Sequence, residues 1–468
     1  GCQKVYKPKK NDKPNIILIS VDTLRADHLM CYGYRYETSP FIDRFAMLGA
    51  LFENAVTVVP STMPSHISML TSKIPRKHGI AHTGTIVKRG LLTLQKVVKG
   101  YGYKTAGFIS SYVLSSDFNF NEGFDIFNDQ LDKKTNLAQN KIIRDADKTT
   151  DAVINFLKKQ GKNKPFFLFI HYFDPHWPYD PPQQYLHLYD TKYSGKLDGN
   201  FKTLQKMRLA MAKGKGVSEN DRIHLQALYD GEIRFINDQF RRLIAELELS
   251  GLIQNTIIVF TADHGENFFE HDGYIDHSSR VYESNIHIPL IIFYRGIIPP
   301  NTKISKLIRN IDIAPTLLDL AGIEIPKEFE GKSFAGLLRG KEENKNKEIG
   351  EVVLFSEATR NALYPEGADE YLTKVKRKWT NDPFAKCIRT QRWKYIETPY
   401  LNRKELYDLS KDPQEVNNLA NTLDEKTNKI IENLKVMLDK YTEINTSTGR
   451  MTKSKKSIEN LKSLGYLQ

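Results

Sequence analysis

Three cysteines, Cys2, Cys31 and Cys387, are all that the 468 residues contain. So few, with no CxxC pair among them, exclude a disulfide framework and a thiolate zinc site. No apolar run approaches the length needed to cross a bilayer, so no membrane-spanning segment is expected. A basic arm and nucleic-acid motifs are missing as well. The 68 Lys and Arg residues are scattered, so the net charge of +12 points to an anionic substrate or surface, and no nucleic acid is expected as a partner. There is no internal repeat and no low-complexity block. What remains, 40% hydrophobic and 26% charged residues, is ordinary for a globular protein. The length suits one large α/β domain with a smaller companion.

Gly1-Cys2-Gln3, followed by a lysine-rich polar run to Lys13, resembles a bacterial lipoprotein just after its signal peptide. That resemblance implies an exported protein, held at a membrane or in the periplasm, with Cys2 lipidated and residues 1–14 as its tether. Beyond it, short β-branched and aromatic runs alternate with amphipathic stretches, the pattern of a parallel sheet flanked by helices. Strands are expected at Asn15–Val21, Lys104–Ser110, Pro165–Tyr172, Thr256–Thr261 and Pro289–Tyr294, all near-continuous apolar runs. Helices are expected at Pro40–Leu48, Pro64–Thr71, Asp147–Lys159, Asp221–Leu249 and Ile313–Ala321. Gln183–Gly216 is polar and reads as a long excursion over the rim of a site. A charge run after Gly340 separates residues 15–340 from a smaller unit at 341–446, with strand-like Glu351–Ser356 and Cys387–Glu397 and a helix at Asp424–Thr442. Residues 447–468 form a tail.

Two of the strands end in acidic residues. Asn15-Ile-Ile-Leu-Ile-Ser-Val-Asp22 delivers Asp22, and Thr256-Ile-Ile-Val-Phe-Thr-Ala-Asp263-His264 delivers Asp263 and His264. Ligands of open parallel sheets bind outside the carboxyl ends of the strands. Each Asp alone is as consistent with a helix cap as with a metal ligand. Two carboxylates converging there repel unless a cation lies between them, and the adjoining imidazole adds a ligand. A third element is Val59-Pro-Ser-Thr62-Met-Pro64-Ser-His66. Pro64 suits the first turn of a helix, so Thr62 falls at a helix N-terminus, where free amides favour an anion. A hydroxyl there, beside a dication, loses its proton more readily and becomes a nucleophile. By itself Thr-x-Pro reads as an ordinary N-cap.

With further segments these residues resemble the sulfatase family of the alkaline phosphatase superfamily. The resemblance rests on Asn15–Asp22 through Cys31-Tyr-Gly33, Thr38-Ser-Pro-Phe-Ile-Asp-Arg-Phe45, Phe52-Glu-Asn-Ala55 and Ala262-Asp-His-Gly-Glu266. It extends through Ile288-Pro-Leu-Ile291, Asp312-Ile-Ala-Pro-Thr316 and Glu405-Leu-Tyr-Asp-Leu409, to about Ala420. It implies a large, mostly parallel sheet flanked by helices, with a smaller C-terminal antiparallel sheet plus helix. It also implies Asp22, Asp263 and His264 as metal ligands, with Thr62 as the nucleophile that touches the metal. His176, in Asp174-Pro175-His176, and His277 take the positions that hold the anion and protonate the leaving group. Arg280 is a further substrate-binding candidate, as is His66, which stands where the family motif has Arg. All twelve histidines lie at or before His287, so the late ligand of two-metal relatives has no counterpart and one divalent cation is expected. An oxygen-rich set with one imidazole suits calcium, magnesium or manganese and is compatible with zinc.

The sequence departs from the family at the nucleophile. The motif Cys/Ser-x-Pro-Ser-Arg, whose first residue is oxidised to formylglycine, stands here as Thr62-Met-Pro-Ser-His66. Oxidised Thr is a ketone, so no formylglycine is expected. Asp22-Thr23 replaces a pair of Asp, and Phe108–Ser116 replaces a Gly-Lys-x-His segment. A Thr alkoxide attacks phosphorus and is released by water, whereas a sulfated Thr lacks the second hydroxyl of the aldehyde hydrate. Phosphate or phosphonate esters are therefore expected ahead of sulfate esters. Three alternatives stay open: a true sulfuric ester hydrolase, a transferase moving a phospho-head-group at the membrane, and an inactive relative that binds anionic glycans.

Overall fold

Near-continuous apolar runs form strands buried on both faces, and these build the centre of the molecule. With the partly exposed edge strands β4 and β8, the sheet in chain order is β1 (Asn15–Val21), β2 (Ala50–Phe52), β3 (Lys104–Phe108), β4 (Ile126–Asn128), β5 (Phe166–Tyr172), β6 (Thr256–Ala262), β7 (Leu290–Phe293) and β8 (Thr302–Ile304). They lie side by side in the order β8-β2-β7-β6-β1-β5-β3-β4. From β6 to β4 all pairings are parallel. β7 runs antiparallel to both β6 and β2, so the expected, mostly parallel sheet carries one reversed strand. This computed structural model describes residues 13–134, 141–160, 164–212, 215–271, 275–340, 353–358, 385–422, 424–443 and 454–463. Cys2, nearly all of the expected tether and the charge run after Gly340 lie outside them. Among the described residues no helix is long and apolar enough to cross a membrane.

Register decides where the chemistry sits. β1 pairs with β6 residue for residue as far as Val21 and Ala262, so Asp22 and Asp263 leave their strands as neighbours. On the other side of β1, Ser20 is level with His171 of β5.

Helices cover the sheet. α1 (Thr62–Thr71) is buried along its whole length, while α2 (Ala146–Lys159) and α3 (Glu219–Leu249) bury one stripe each. α3 starts where the Ser218 hydroxyl accepts the Asp221 N–H, a cap that satisfies one orphan amide of the first turn. The excursion expected at Gln183–Gly216 contains a helix at Phe201–Ala212, with Leu204 buried and Met207 and Met211 packed on the core. Those apolar residues, spaced by three and four, outweigh the polar composition around them.

The far end of α1 is held by His78. Its Nδ1 accepts the Ile80 N–H at 3.1 Å, which makes Nε2 the donor to Ser68 Oγ at 2.9 Å. Burial pushes the His78 imidazole down to about 3, so it is neutral in the folded state. The unfolded chain takes up this proton below about pH 6.5 and the folded chain does not, so stability falls as pH drops through that window. Between pH 6.5 and 5 this one group costs about 2 kcal/mol. His78→Asn keeps an acceptor for Ile80 but does not titrate. Urea unfolding at the two pH values is expected to show a correspondingly smaller loss in the variant, and equal losses would refute the assignment.

The second sheet is antiparallel, with strands β9 (Leu354–Ala358), β10 (Ala385–Arg389), β11 (Trp393–Thr398) and β12 (Arg403–Asp408) in sequential order. The segment read as one strand, Cys387–Glu397, is a hairpin turning at Thr390–Arg392, where Thr390 N–H bonds to the Trp393 carbonyl. α4 (Glu425–Thr442), capped by Asp424, buries Leu434 and Leu438 against this sheet. Its core is shared with Val56, Val58, Val59, Val281, Tyr282 and Ile286 of the larger part, which flank the segments carrying Thr62 and His277. The helix Lys455–Ser463 returns to the main core through Leu461.

Candidate active site and metal centre

Asp22, Asp263 and His264 are fully buried at the carboxyl edge of the large sheet. The chain turns sharply at both strand exits. Thr23 takes φ 55° and directs its N–H to Asp263 Oδ1 at 3.1 Å, and the His264 N–H reaches the same oxygen at 2.8 Å. Gly265 follows because a Cβ there would collide with the Ser284 carbonyl. Asp263 Oδ1 is thus engaged, while Asp263 Oδ2 and Asp22 Oδ2 are buried without a hydrogen-bond partner. His264 Nδ1 donates to the Gly265 carbonyl at 2.9 Å. That leaves the Nε2 lone pair facing Asp263 Oδ2 at 3.4 Å and Asp22 Oδ1 at 3.8 Å.

α1 supplies the fourth group. Ser61 is extended, Thr62 is the first helical residue, and Pro64 sits in the first turn, where its missing N–H costs nothing. Thr62 Oγ1 lies 3.4 Å from Asp22 Oδ1 and 3.4 Å from His264 Nε2. Three residues on, Ser65 Oγ donates to the Asp263 carbonyl at 2.7 Å, tying the helix to the end of β6.

The electrostatics of this cluster call for a cation. Burial pushes the Asp22 carboxyl up to about 6 against the pull of His264, and raises Asp263 with the charge of Asp22 adding to it. Burial disfavours a proton on His264, but Asp263 and Asp22 outweigh it and raise its pKa. A divalent cation removes the repulsion between the two carboxylates and gives the orphaned Asp263 Oδ2 a partner. The ligand atoms of Asp22, Asp263 and His264 lie within 4.8 Å of one another, so the three residues fit one such ion, with the Thr62 hydroxyl at its edge.

His277 stacks on His264 with ring centroids 4.8 Å apart and meets His176 edge-on, also at 4.8 Å. Its Nδ1 faces both oxygens of buried Glu266 at 3.1–3.2 Å. His176 stacks on Phe173 and turns Nδ1 to the Trp177 carbonyl. Arg280 is buried three residues beyond His277, with Nη1 on the Ser279 carbonyl.

His66, expected at the substrate, lies behind Thr62 instead. As residue i+4 of the same helix it turns back, and Nδ1 donates to the Thr62 carbonyl at 2.7 Å. Nε2 then accepts from Ser20 Oγ at 2.9 Å, so both ring nitrogens are engaged. Burial pushes its imidazole down to about 4, consistent with a neutral ring that steadies the first turn of α1.

Two residues at the site were given no role from sequence, His171 and Glu266. His171 is fully buried on β5 with Nε2 3.3 Å from Asp22 Oδ2. Its signal was present: one histidine near the end of an otherwise apolar strand, where a neutral core residue would be expected. Glu266 belongs to the Asp263-His-Gly-Glu266 motif, yet nothing in the spacing indicates that it reaches His277.

Residues 14–323 match the family described as Sulfatase. An arylsulfatase of Clostridium perfringens is 27% identical, over 88% of this chain and 91% of its own. An N-acetylglucosamine-6-O-sulfatase of Bacteroides thetaiotaomicron is 26% identical, over 88% of this chain and 84% of its own. Among solved structures, the phosphonate monoester hydrolase of Agrobacterium radiobacter aligns with a TM-score of 0.73 at 19% identity, over 92% of this chain and 96% of its own.

Proposed function

The chain belongs to the sulfatase family, and on that premise we propose that it hydrolyses sulfate esters, with Thr62 as the nucleophile of a metal-dependent reaction. The observation that carries this reading is the position of Thr62 Oγ1, 3.4 Å from both Asp22 Oδ1 and His264 Nε2 on the first turn of α1. A cation held by Asp22, Asp263 and His264 would supply Lewis acidity there. Asp22 Oδ1, to which the Thr62 hydroxyl points, accepts its proton, and the freed oxygen attacks the central atom of the ester. The bond to the departing alcohol breaks, and His277, paired with Glu266, returns a proton to it with His176 alongside. Water then cleaves the ester left on Thr62. Burial of every participant keeps competing water away until that step.

Sulfate esters stand first because the relatives similar in sequence are named as sulfatases, whereas the phosphonate monoester hydrolase resembles the chain in fold alone. One observation favours a second reading, phosphate or phosphonate esters. Thr62 has a single hydroxyl, so a sulfated Thr62 has no internal route of release, while a phosphorylated one is opened by attack of water at phosphorus. Formylglycine has no place in either reading, because Thr cannot give the aldehyde. Turnover of an aryl sulfate, a phosphate monoester, a phosphate diester and a phosphonate monoester, measured side by side with calcium, magnesium, manganese and zinc, separates the two. The sulfate is expected to turn over fastest. Turnover of phosphorus esters alone would establish the second reading in its place.

A further inference from the structure

The segment that replaces Gly-Lys-x-His, Phe108–Ser116, does not leave the site. Ser110 embraces His171 from two sides: its N–H faces His171 Nδ1 at 3.5 Å, and its Oγ donates to the His171 carbonyl at 2.7 Å. Ser110 Oγ also meets Thr149 Oγ1 at 2.7 Å, and Thr149 in turn accepts from Arg144 Nε at 2.9 Å. The opposite nitrogen of the ring, Nε2, lies 3.3 Å from Asp22 Oδ2. Both atoms are buried and neither has a hydrogen-bond partner, so each is an orphan facing the other. Because a backbone N–H faces Nδ1, that nitrogen is the acceptor and Nε2 carries the proton. A protonated Nε2 cannot ligate a metal, but it can donate to a carboxylate that does.

We propose that His171, set in its tautomer by Ser110, clamps Asp22 Oδ2 from outside the metal cage and thereby aims Oδ1 at the cation and at Thr62. It is a positioning residue, and the assignment rests on the metal-centre reading given above. The clamp has a physical reason to exist here. With Thr23 in place of a second Asp, the cage has two carboxylates among the described residues, and a misdirected Asp22 leaves it with one. The unused Asp22 oxygen is buried away from water without a hydrogen-bond partner, and the Nε2–H, 3.3 Å away, is the donor that a small closure of the contact gives it.

The test uses two side chains that imitate different halves of imidazole. Gln extends an amide N–H to the position of Nε2, whereas Asn stops at the level of Nδ1 and does not reach Asp22. Manganese affinity of the full chain is measured by calorimetry and by chelator competition for wild type, His171→Gln and His171→Asn. Asn is expected to weaken binding by on the order of 10- to 100-fold, and Gln to stay within a few-fold of wild type. Thermal unfolding of the metal-free proteins, alike in the two variants, separates this loss from general damage. Equal affinities in all three proteins would overturn the clamp while leaving the metal centre intact. Equal losses in Asn and Gln would also overturn it, since the position then matters only for packing. A wild type that binds no divalent cation would remove the metal-centre reading itself, and the clamp with it.

Discussion

Replacing Thr62 by Ala is expected to abolish ester turnover, by at least about 10³-fold, while cation binding stays within a few-fold of wild type. The asymmetry follows from the geometry. Thr62 Oγ1 stands 3.4 Å from Asp22 and from His264, at the edge of the cage, and its loss leaves all three ligand side chains and their supports in place. The Asp263 carboxylate keeps its two N–H donors, and His264 keeps its bond to Gly265. Ala also suits the first turn of α1, which depends on Pro64 and on the Ser65–Asp263 contact, so the fold has little reason to change. Chemistry, by contrast, loses its only proposed nucleophile. Thr62→Ser restores a hydroxyl without the methyl group and is expected to recover much of the rate. The paired measurement is single-turnover kinetics with calorimetric metal titration. Turnover above about one per cent of wild type in the Ala variant would end the nucleophile assignment, because an attacking oxygen cannot be dispensable. An inactive glycan-binding protein would behave differently, since its wild type would already show no turnover for the substitution to remove.

Much of this was legible in the chain, and the parts that were not share a cause. β1, β5 and β6 declare themselves as unbroken apolar runs because both of their faces are covered. Direction is invisible in such a run, and the reversed β7 has the same composition as its parallel neighbours. The hairpin Ala385–Thr398 looked like one strand because its turn is only Thr390–Arg392, without the glycine that usually marks a reversal. At the site, sequence reasoning pointed to groups fixed by their place at a strand end or a helix start: Asp22, Asp263 and His264, which converge as a candidate metal triad, and Thr62, which lies beside them. It gave no role to His171 and Glu266, which act through partners 149 and 11 positions away. It expected His66 at the substrate because a motif position says nothing about whether a ring turns outward or back along its own helix.

The second large effect is expected from Asp263→Asn, and it has two parts of opposite sign. Among the described residues the carboxylate contributes one of two negative charges in the cage, so the variant is expected to lose measurable cation binding, and turnover with it. Its stability without metal is expected to hold or rise. Asp263 Oδ1 accepts the N–H groups of Thr23 and His264, and the amide oxygen of Asn keeps both bonds. The other oxygen, Oδ2, has no hydrogen-bond partner and suffers burial and the charge of Asp22, which together raise the carboxyl pKa. An amide nitrogen in its place removes that charge and can donate toward His264 Nε2, which lies 3.4 Å from Oδ2. The wild type should therefore gain about 2.7 kcal/mol at a cation concentration 100 times its dissociation constant, and the variant nothing. Thermal unfolding with and without manganese reads both parts at once. Loss of the metal-induced shift with an unchanged or higher metal-free midpoint is the signature of a repulsive carboxylate that only a cation reconciles. A variant markedly less stable without metal would mean that Asp263 holds the end of β6 together by itself, and that its charge is structural.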